Sequence, residues 1–342
     1  MALLSPLMGP VRTVAVGSGE DAGRRLRKLV IQIPCLNEAA TLPATLADLP
    51  RSVDGFDSVE WLVVDDGSTD DTAQVALAHG VDHIVRFPVN RGLAAAFLAG
   101  LDAALRAGAD VVVNTDADNQ YDASCIPDLV APIVAGRADL VVGERPIEEI
   151  QEFSAAKKRL QRLGSSIVRA ASGTDVRDAA SGFRAFSRDT ALQLQVLGRY
   201  SYTMETLVQA GWQGLDVVGV PVRVHPSTRP SRLVRSIPQY VWRSAQTIVR
   251  SFALYKPFRF FLLLSALPAV LGLVLVVRWA YLGWFTDDPA GRVPSLVAAA
   301  VCLLLAALIA VVGLLADLLS ANRRALWDIR AMLRRAELDG RD

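Results

Sequence analysis

The sequence predicts an α/β domain with a mostly parallel sheet, followed by an amphipathic interface helix and two transmembrane helices. Three observations carry this. Short β-branched runs alternate with helical segments over the first two thirds, the pattern of a parallel sheet covered on both faces. Several of those runs stop at acidic residues. The last third holds two long uncharged stretches, each flanked by basic residues.

Composition bounds the reading. The chain has 342 residues, 52% of them hydrophobic and 21% charged, with a net charge of +1. That is room for one large or two ordinary domains. The near-zero charge argues against a protein built to bind nucleic acid. Cys35, Cys125 and Cys302 form no disulfide framework and no zinc spacing, which fits a reducing compartment. Residues 1–28 place a basic cluster after small and apolar residues, the wrong order for a secretory signal, and read as a disordered leader.

The first strand is Leu29 to Ile33, followed by a Pro34-Cys35-Leu36-Asn37-Glu38 loop and a helix near 41–49. Trp61 to Val64 forms the second strand and ends in Asp65-Asp66-Gly67-Ser68-Thr69-Asp70. Ser68 or Thr69 is the expected cap of the next helix, and Gly80 lies past its end. A short strand at 83–87 leads through Asn90-Arg91-Gly92 into a small-residue helix, Leu93 to Arg106, closed by Gly108. The central strand, 110–113, runs into Asn114-Thr115-Asp116-Ala117-Asp118-Asn119-Gln120. Helix 124–135, strand 140–142, a basic helix over 148–169, a loop at 178–184, a helix at 201–209 and a strand at 217–224 complete the domain, 29–225.

Beyond His225 the chain turns Pro- and Arg-rich. Residues 226–257 read as a basic loop and an interface helix, with Arg243 and Arg250 at roughly helical spacing among apolar and aromatic residues. Residues 260–277 and 293–316 carry no charge and are long enough to span a bilayer, giving a hairpin over 258–321 and a basic C-terminal helix over 322–342. Trp279, Tyr281 and Trp284 suit an aromatic belt. Lys256 and Arg259 precede the first span, and Arg323, Arg324, Arg330, Arg334 and Arg335 follow the second. The positive-inside rule then puts both termini in the cytoplasm. Two buried helices of a soluble protein are the alternative.

Ligands of open α/β sheets bind outside the carboxyl ends of the strands. Glu38, Asp65 and Asp66, and Asp116, Asp118 and Gln120 all follow strands and converge on one such edge. Closely spaced carboxylates repel unless a cation or strong donors stand near, and carboxylate and amide oxygens suit Mg²⁺ or Mn²⁺. A calcium loop would need glycine where Tyr121 stands. The set suits a ribose, a base edge and a metal-bound diphosphate, with arginines available for its charge.

Six segments in order, IPCLNE at 33–38, DDGSTD at 65–70, NRGLAAAF at 90–97, DADNQ at 116–120, VVGER at 141–145 and SGFRAFSRD at 181–189, resemble the family 2 glycosyltransferases of GT-A fold. Within that family they resemble the polyprenyl-phosphate sugar transferases related to dolichol-phosphate mannose synthase, in the bacterial form with one membrane hairpin. The resemblance covers roughly residues 29–235. It implies inverting transfer of a hexose from a UDP- or GDP-sugar to a polyprenyl phosphate, in a homo-oligomer of the inner or plasma membrane with its catalytic domain in the cytoplasm. Pro34, Glu38 and Asp66 would hold the nucleoside, with Asn37, Asp65, Asn90 and Gly92 in the same binding set. Asp116, Asp118 and Gln120 would serve the donor and its metal. Arg145 would reach phosphate, with Arg159 or Arg162, and Arg229 or Arg232, as further cations. Asp178, Ser181 and Arg184 would line the acceptor side, Asp178 in the catalytic set with Asp116 and Asp118. Glu205 is near where soluble relatives place an acceptor base. A processive polysaccharide synthase would carry Gln-x-x-Arg-Trp and more spans, and neither is present. A hydroxyl-acceptor transferase and an inactive membrane scaffold are the remaining alternatives.

Overall fold

The computed structural model describes residues 26–147, 155–196, 202–226, 257–285 and 292–340, with 246, 249 and 253 singly. The chain divides into two compact units, Met1–Ile248 with Ala331–Asp342, and Val249–Arg330.

The first unit is built on seven strands: β1 (Leu26–Cys35), β2 (Phe56–Asp65), β3 (His83–Arg86), β4 (Val111–Asn114), β5 (Leu140–Glu144), β6 (Arg184–Ser187) and β7 (Val217–Pro221). Their order across the sheet is β3-β2-β1-β4-β6-β5-β7. The pairs β1–β2, β1–β4, β2–β3 and β5–β7 are parallel. β6 runs antiparallel between β4 and β5. The helices of this unit are α1 (Leu42–Asp48), α2 (Thr72–Ala78), α3 (Leu93–Arg106), α4 (Ile126–Val134), α5 (Ala155–Ser172), α6 (Arg188–Gln193) and α7 (Thr203–Gln213). All four residues of β4 are buried, as in a strand covered on both faces.

Most expected elements form within a few residues of their expected bounds. β1 opens at Leu26, so the domain takes in the end of the expected leader: the Lys28 backbone N–H donates to Asp110 at 3.0 Å and its ammonium pairs with Glu60 at 2.7 Å. Residues 1–25 lie outside the described residues. The expected caps are corrected: Asp71 holds the cap position of α2, and Ser68 and Thr69 instead bond to Asn37. β6 and α6 were not expected. β6 has four residues and opens with an arginine, so no alternation marks it, while Ser187 caps α6 by accepting from the Thr190 N–H at 3.3 Å. The expected loop therefore ends where β6 begins.

The second unit contains α8 (Pro257–Phe285) and most of α9 (Arg292–Asp339). Both are long and apolar enough to cross a membrane, and only 17% of the most apolar window of each is buried, unlike the core helices of a soluble domain. A Cβ on Gly272 would stand 2.8 Å from Leu303, and one on Gly313 would stand 2.7 Å from Phe261, so small residues set the close approach of the pair. The expected separate C-terminal helix is corrected: α9 runs unbroken through 322. The expected interface helix lies outside the described residues apart from 246, 249 and 253.

Gly67, just past the carboxyl end of β2, is a point of close backbone approach. Its φ is +73°, and a Cβ there would stand 2.5 Å from the Val89 carbonyl carbon. Gly67→Ala should therefore lower the unfolding midpoint of the purified protein, at a cost of roughly 2 kcal/mol or more. An unchanged midpoint would contradict this close approach.

Candidate active site

The strand order turns between β1 and β4, which places a crevice at the carboxyl ends of those strands. The loops after β1, β2 and β4 supply its acidic residues, and hydrogen bonds from the 65–72 segment tie two of them together. Ser68 Oγ accepts from the Asn37 N–H at 2.9 Å, and Asn37 Oδ1 accepts from the Thr69 N–H at 2.8 Å, with Asn37 held at φ 54°. Thr72 Oγ1 accepts from the Glu38 N–H at 2.9 Å, and Asp70 Oδ2 from the Ala39 N–H at 3.1 Å. Asp66 reaches the other way, accepting from the backbone N–H groups of Arg91 at 2.7 Å and Gly92 at 2.9 Å, just before α3. Bonds to a charged acceptor are each worth roughly 1.5–3 kcal/mol, so Asp66 is a firm anchor for the 89–92 loop.

Asp65 is fully buried, with Oδ1 accepting from the Ser68 N–H at 2.8 Å and Arg86 Nε 3.1 Å from Oδ2. Glu38 is buried and accepts from Thr41 Oγ1 at 2.7 Å. Pro34 is buried within β1, while Asn90 is exposed. The structure thus brings Glu38, Asp65 and Asp66 to one edge. It also shows that much of the hydrogen-bonding capacity of the DDGSTD segment is spent on neighbouring loops.

Asp116 lies at the centre of the cleft's charge. Burial raises its pKa to about 7, Asp118 and Glu38 push the same way, and Arg145 opposes them. The side chain keeps partial surface exposure, but its carboxylate is ringed by protein. Asp118 Oδ1 accepts from the Gln120 N–H at 3.1 Å, and the Gln120 carbonyl accepts from the His225 N–H at 2.8 Å, which fixes the loop backbone. Among the described residues no group of three or more His, Cys, Asp or Glu side chains is arranged to hold a metal. Two mutually repelling carboxylates still fit Mg²⁺ or Mn²⁺, because such ions are commonly bound by one or two carboxylates plus substrate phosphates.

Arg145 and Asp178 form a bidentate pair, Nε to Oδ2 at 2.6 Å and Nη2 to Oδ1 at 3.0 Å, both nearly buried. Burial pulls the Arg145 pKa down, and the neighbouring oxygen groups of Tyr121 and Asp178, the latter in a direct ion pair, more than reverse this, so Arg145 stays a cation. Two expected acceptor-side residues are corrected. Arg184 is fully buried, donating to the carbonyls of Ser181, Thr203 and Ala179 and to Thr206 Oγ1 at 2.7–2.9 Å. Ser181 is fully buried too, with its hydroxyl turned toward Tyr121 at 3.4 Å. Both fasten the loop before β6 from within. Glu205 is buried on α7, and Arg162 is exposed on α5. Arg229 and Arg232 lie outside the described residues, as does the side chain of Arg159.

Sequence reasoning missed Asn114, Tyr121 and Tyr202, which are buried around Gly182. Asn114 and Tyr121 flank the acidic motif directly, and a polar residue ending a buried strand was the available signal. Tyr202 gives none, because its partners are 20 and 88 residues away.

Known proteins share this sheet and this stretch of sequence. The family profile Glycosyl transferase family 2 matches residues 30–194. An uncharacterized glycosyltransferase of Mycobacterium tuberculosis is 37% identical over 206 residues, 58% of this chain and 86% of that protein. The undecaprenyl-phosphate mannosyltransferase of Micrococcus luteus is 31% identical over 207 residues, 58% of this chain and 83% of that protein. Among solved structures, glucosyl-3-phosphoglycerate synthase of Mycobacterium tuberculosis in complex with Mn²⁺, UDP-glucose and phosphoglyceric acid superposes with a TM-score of 0.52 at 26% identity, over 66% of this chain and 79% of that one. The chain belongs to glycosyl transferase family 2, and its first unit has the GT-A fold.

The raised pKa of Asp116 has a measurable consequence. Its folded value lies above the ordinary carboxylate value, so ionising it costs stability as pH rises toward about 7. A divalent ion held by this carboxylate would displace its proton. Mn²⁺ affinity of the purified protein, measured by calorimetry in buffers of different ionisation enthalpy, should rise with pH up to about 7 and then level off, with proton release below that point. A pH-independent affinity would contradict the assignment.

Proposed function

We propose that this chain transfers a hexose, with inversion, from a UDP- or GDP-sugar to a polyprenyl phosphate at the cytoplasmic face of the membrane. The observation that carries the acceptor class is the state of the candidate bases. A hydroxyl acceptor must lose a proton to a base, yet Asp178 is buried and clasped by Arg145, and Glu205 is buried. A phosphate acceptor needs no base, since its second pKa is about 6 and its oxygen is already anionic at neutral pH. The elevated pKa of Asp116 belongs to the metal-free pair and falls once a cation sits beside it. The two membrane-capable helices, and the lipid-phosphate acceptor in the name of the Micrococcus luteus relative, support the same reading.

In this account Pro34, Glu38 and Asp66 border the nucleoside, with the buried Asp65 in support. Asp66 also fixes the 89–92 loop, and Asn37, Asn90 and Gly92 border the nucleoside as well. Asp116, Asp118 and Gln120 would hold a divalent ion, which would supply positive charge for a leaving diphosphate. Arg145, oriented by Asp178, adds a fixed cation in a site of low dielectric, where preorganised charge is worth most. Arg162, Arg229 and Arg232 are the further cations for the two polyanions. The residues' main task is positioning: they bring two phosphate-bearing molecules together with the acceptor oxygen in line with the anomeric carbon. The hairpin and the basic stretch before it keep this site at the leaflet, and a homo-oligomer assembled through the hairpin is part of the same proposal.

Membranes containing the protein, incubated with polyprenyl phosphate and labelled UDP- and GDP-sugars, should move label from one donor into the lipid phase. EDTA should abolish the transfer, and Asp118→Ala should lower it by about a hundredfold or more. Label moving to a glycan or protein with the lipid left unlabelled would favour a hydroxyl acceptor, and no transfer from any donor would overturn the proposal.

A further inference from the structure

The Gly182 peptide is gripped on both sides by groups with no role in the account so far. Its N–H donates to the Tyr121 hydroxyl at 3.1 Å. Its carbonyl accepts from Asn114 Nδ2 at 2.9 Å and from the Tyr202 hydroxyl at 3.3 Å, and the same Asn114 amide donates to the Tyr202 oxygen at 2.8 Å. Both rings are buried and braced: Tyr202 stacks on Phe97 with centroids 3.9 Å apart, and Tyr121 on Phe183 at 5.0 Å. Asn114 is itself fixed, its Oδ1 accepting from the buried Gln32 amide at 2.8 Å. Gly182 presents its Cα to Asp116: a Cβ there would stand 3.2 Å from each carboxylate oxygen and 3.1 Å from the Tyr202 hydroxyl. No hydrogen bond to the Asp116 carboxylate is found among the described residues, and the Gly182 backbone stands beside it.

We infer that Tyr121, Tyr202 and Asn114 are positioning residues, a brace that holds the Gly182 peptide as a wall beside the Asp116 carboxylate oxygens and so sets the carboxylate for the metal and the donor. The inference rests on the donor-site reading above. It explains why a tyrosine and an asparagine flanking the acidic motif and a second tyrosine from a distant stretch converge on one glycine, when burial alone would be served as well by phenylalanine. It also assigns the absence of a side chain at 182: a methyl group there would stand 3.2 Å from both carboxylate oxygens and press on them.

The test measures binding without turnover. Purified full-length protein is titrated by calorimetry with Mn²⁺ and then with UDP and GDP, for the unmodified chain, Tyr202→Phe, Tyr121→Phe and Gly182→Ala. Ile133→Val, a core change on α4 away from the brace, is the control for a general loss of stability. Partners behind metal ligands commonly change metal affinity by about tenfold or more. Mn²⁺ affinity should fall about tenfold in Gly182→Ala, Tyr202→Phe and Tyr121→Phe, each tyrosine variant losing one bond to the peptide. Ile133→Val should bind normally whatever its unfolding midpoint. If the unmodified protein binds Mn²⁺ and nucleotide and all three variants bind as well as it does, the brace is only structural and the inference is overturned. A parallel loss in Ile133→Val overturns it too. Absence of binding by the unmodified protein would instead overturn the donor-site reading, and the brace with it.

Discussion

The cleft depends on the Asp65–Thr72 segment. Loops at a sheet edge lose conformational entropy when they are ordered, about 1–2 kcal/mol per residue, and something must hold them. Here Ser68, Asp70 and Thr72 take the backbone N–H groups of residues 37–39, and Asp66 takes those of 91 and 92. The loops after β1 and β3 are thereby fastened to the loop after β2. Gly67 permits this, because the 89–90 backbone passes where any side chain would be. The acidic motif is therefore partly a frame, and the carboxylates left to meet a ligand's charge are fewer than their number in the sequence.

That frame concentrates negative charge, and the site handles it in two ways. Arg145 is buried with Asp178 as a fixed, oriented cation, a pairing whose breakage would leave an uncompensated buried charge. Burial, with Asp118 and Glu38, raises the pKa of Asp116 to about 7. A site in this state favours whatever brings positive charge, and it is suited to a divalent ion arriving with a diphosphate. Arg184, equally buried, does different work. Its donors end on backbone carbonyls and one hydroxyl, and it carries the short antiparallel β6 that separates β4 from β5.

Much of this was legible in the sequence. Buried parallel strands read as apolar runs, so β1, β2, β4 and β5 were found, and α3 matched its expected bounds because Gly92 and Gly108 punctuate it. The convergence of Glu38, Asp65, Asp66, Asp116 and Asp118 followed from strand order alone. What failed depended on long-range partners. Ser181 and Arg184 sit in a family motif and carry polar groups, yet both turn inward, and their burial is decided by α7 and by Tyr121. Ser68 and Thr69 were read as caps because local rules see only the next helix, while Asn37, some thirty residues earlier, claims both. The unbroken α9 was divided in the sequence reading because charge density rises at 323, although arginine and alanine are good helix formers.

The most direct measurement of the central claim is the structure of the product. Lipid-phase product from the matched donor, analysed by proton and phosphorus NMR, should be a single phosphodiester joining the lipid to the anomeric carbon of one hexose in the β configuration. An α-linked sugar, or a sugar joined through a hydroxyl oxygen in place of phosphate, would contradict in-line displacement by a lipid phosphate at this site.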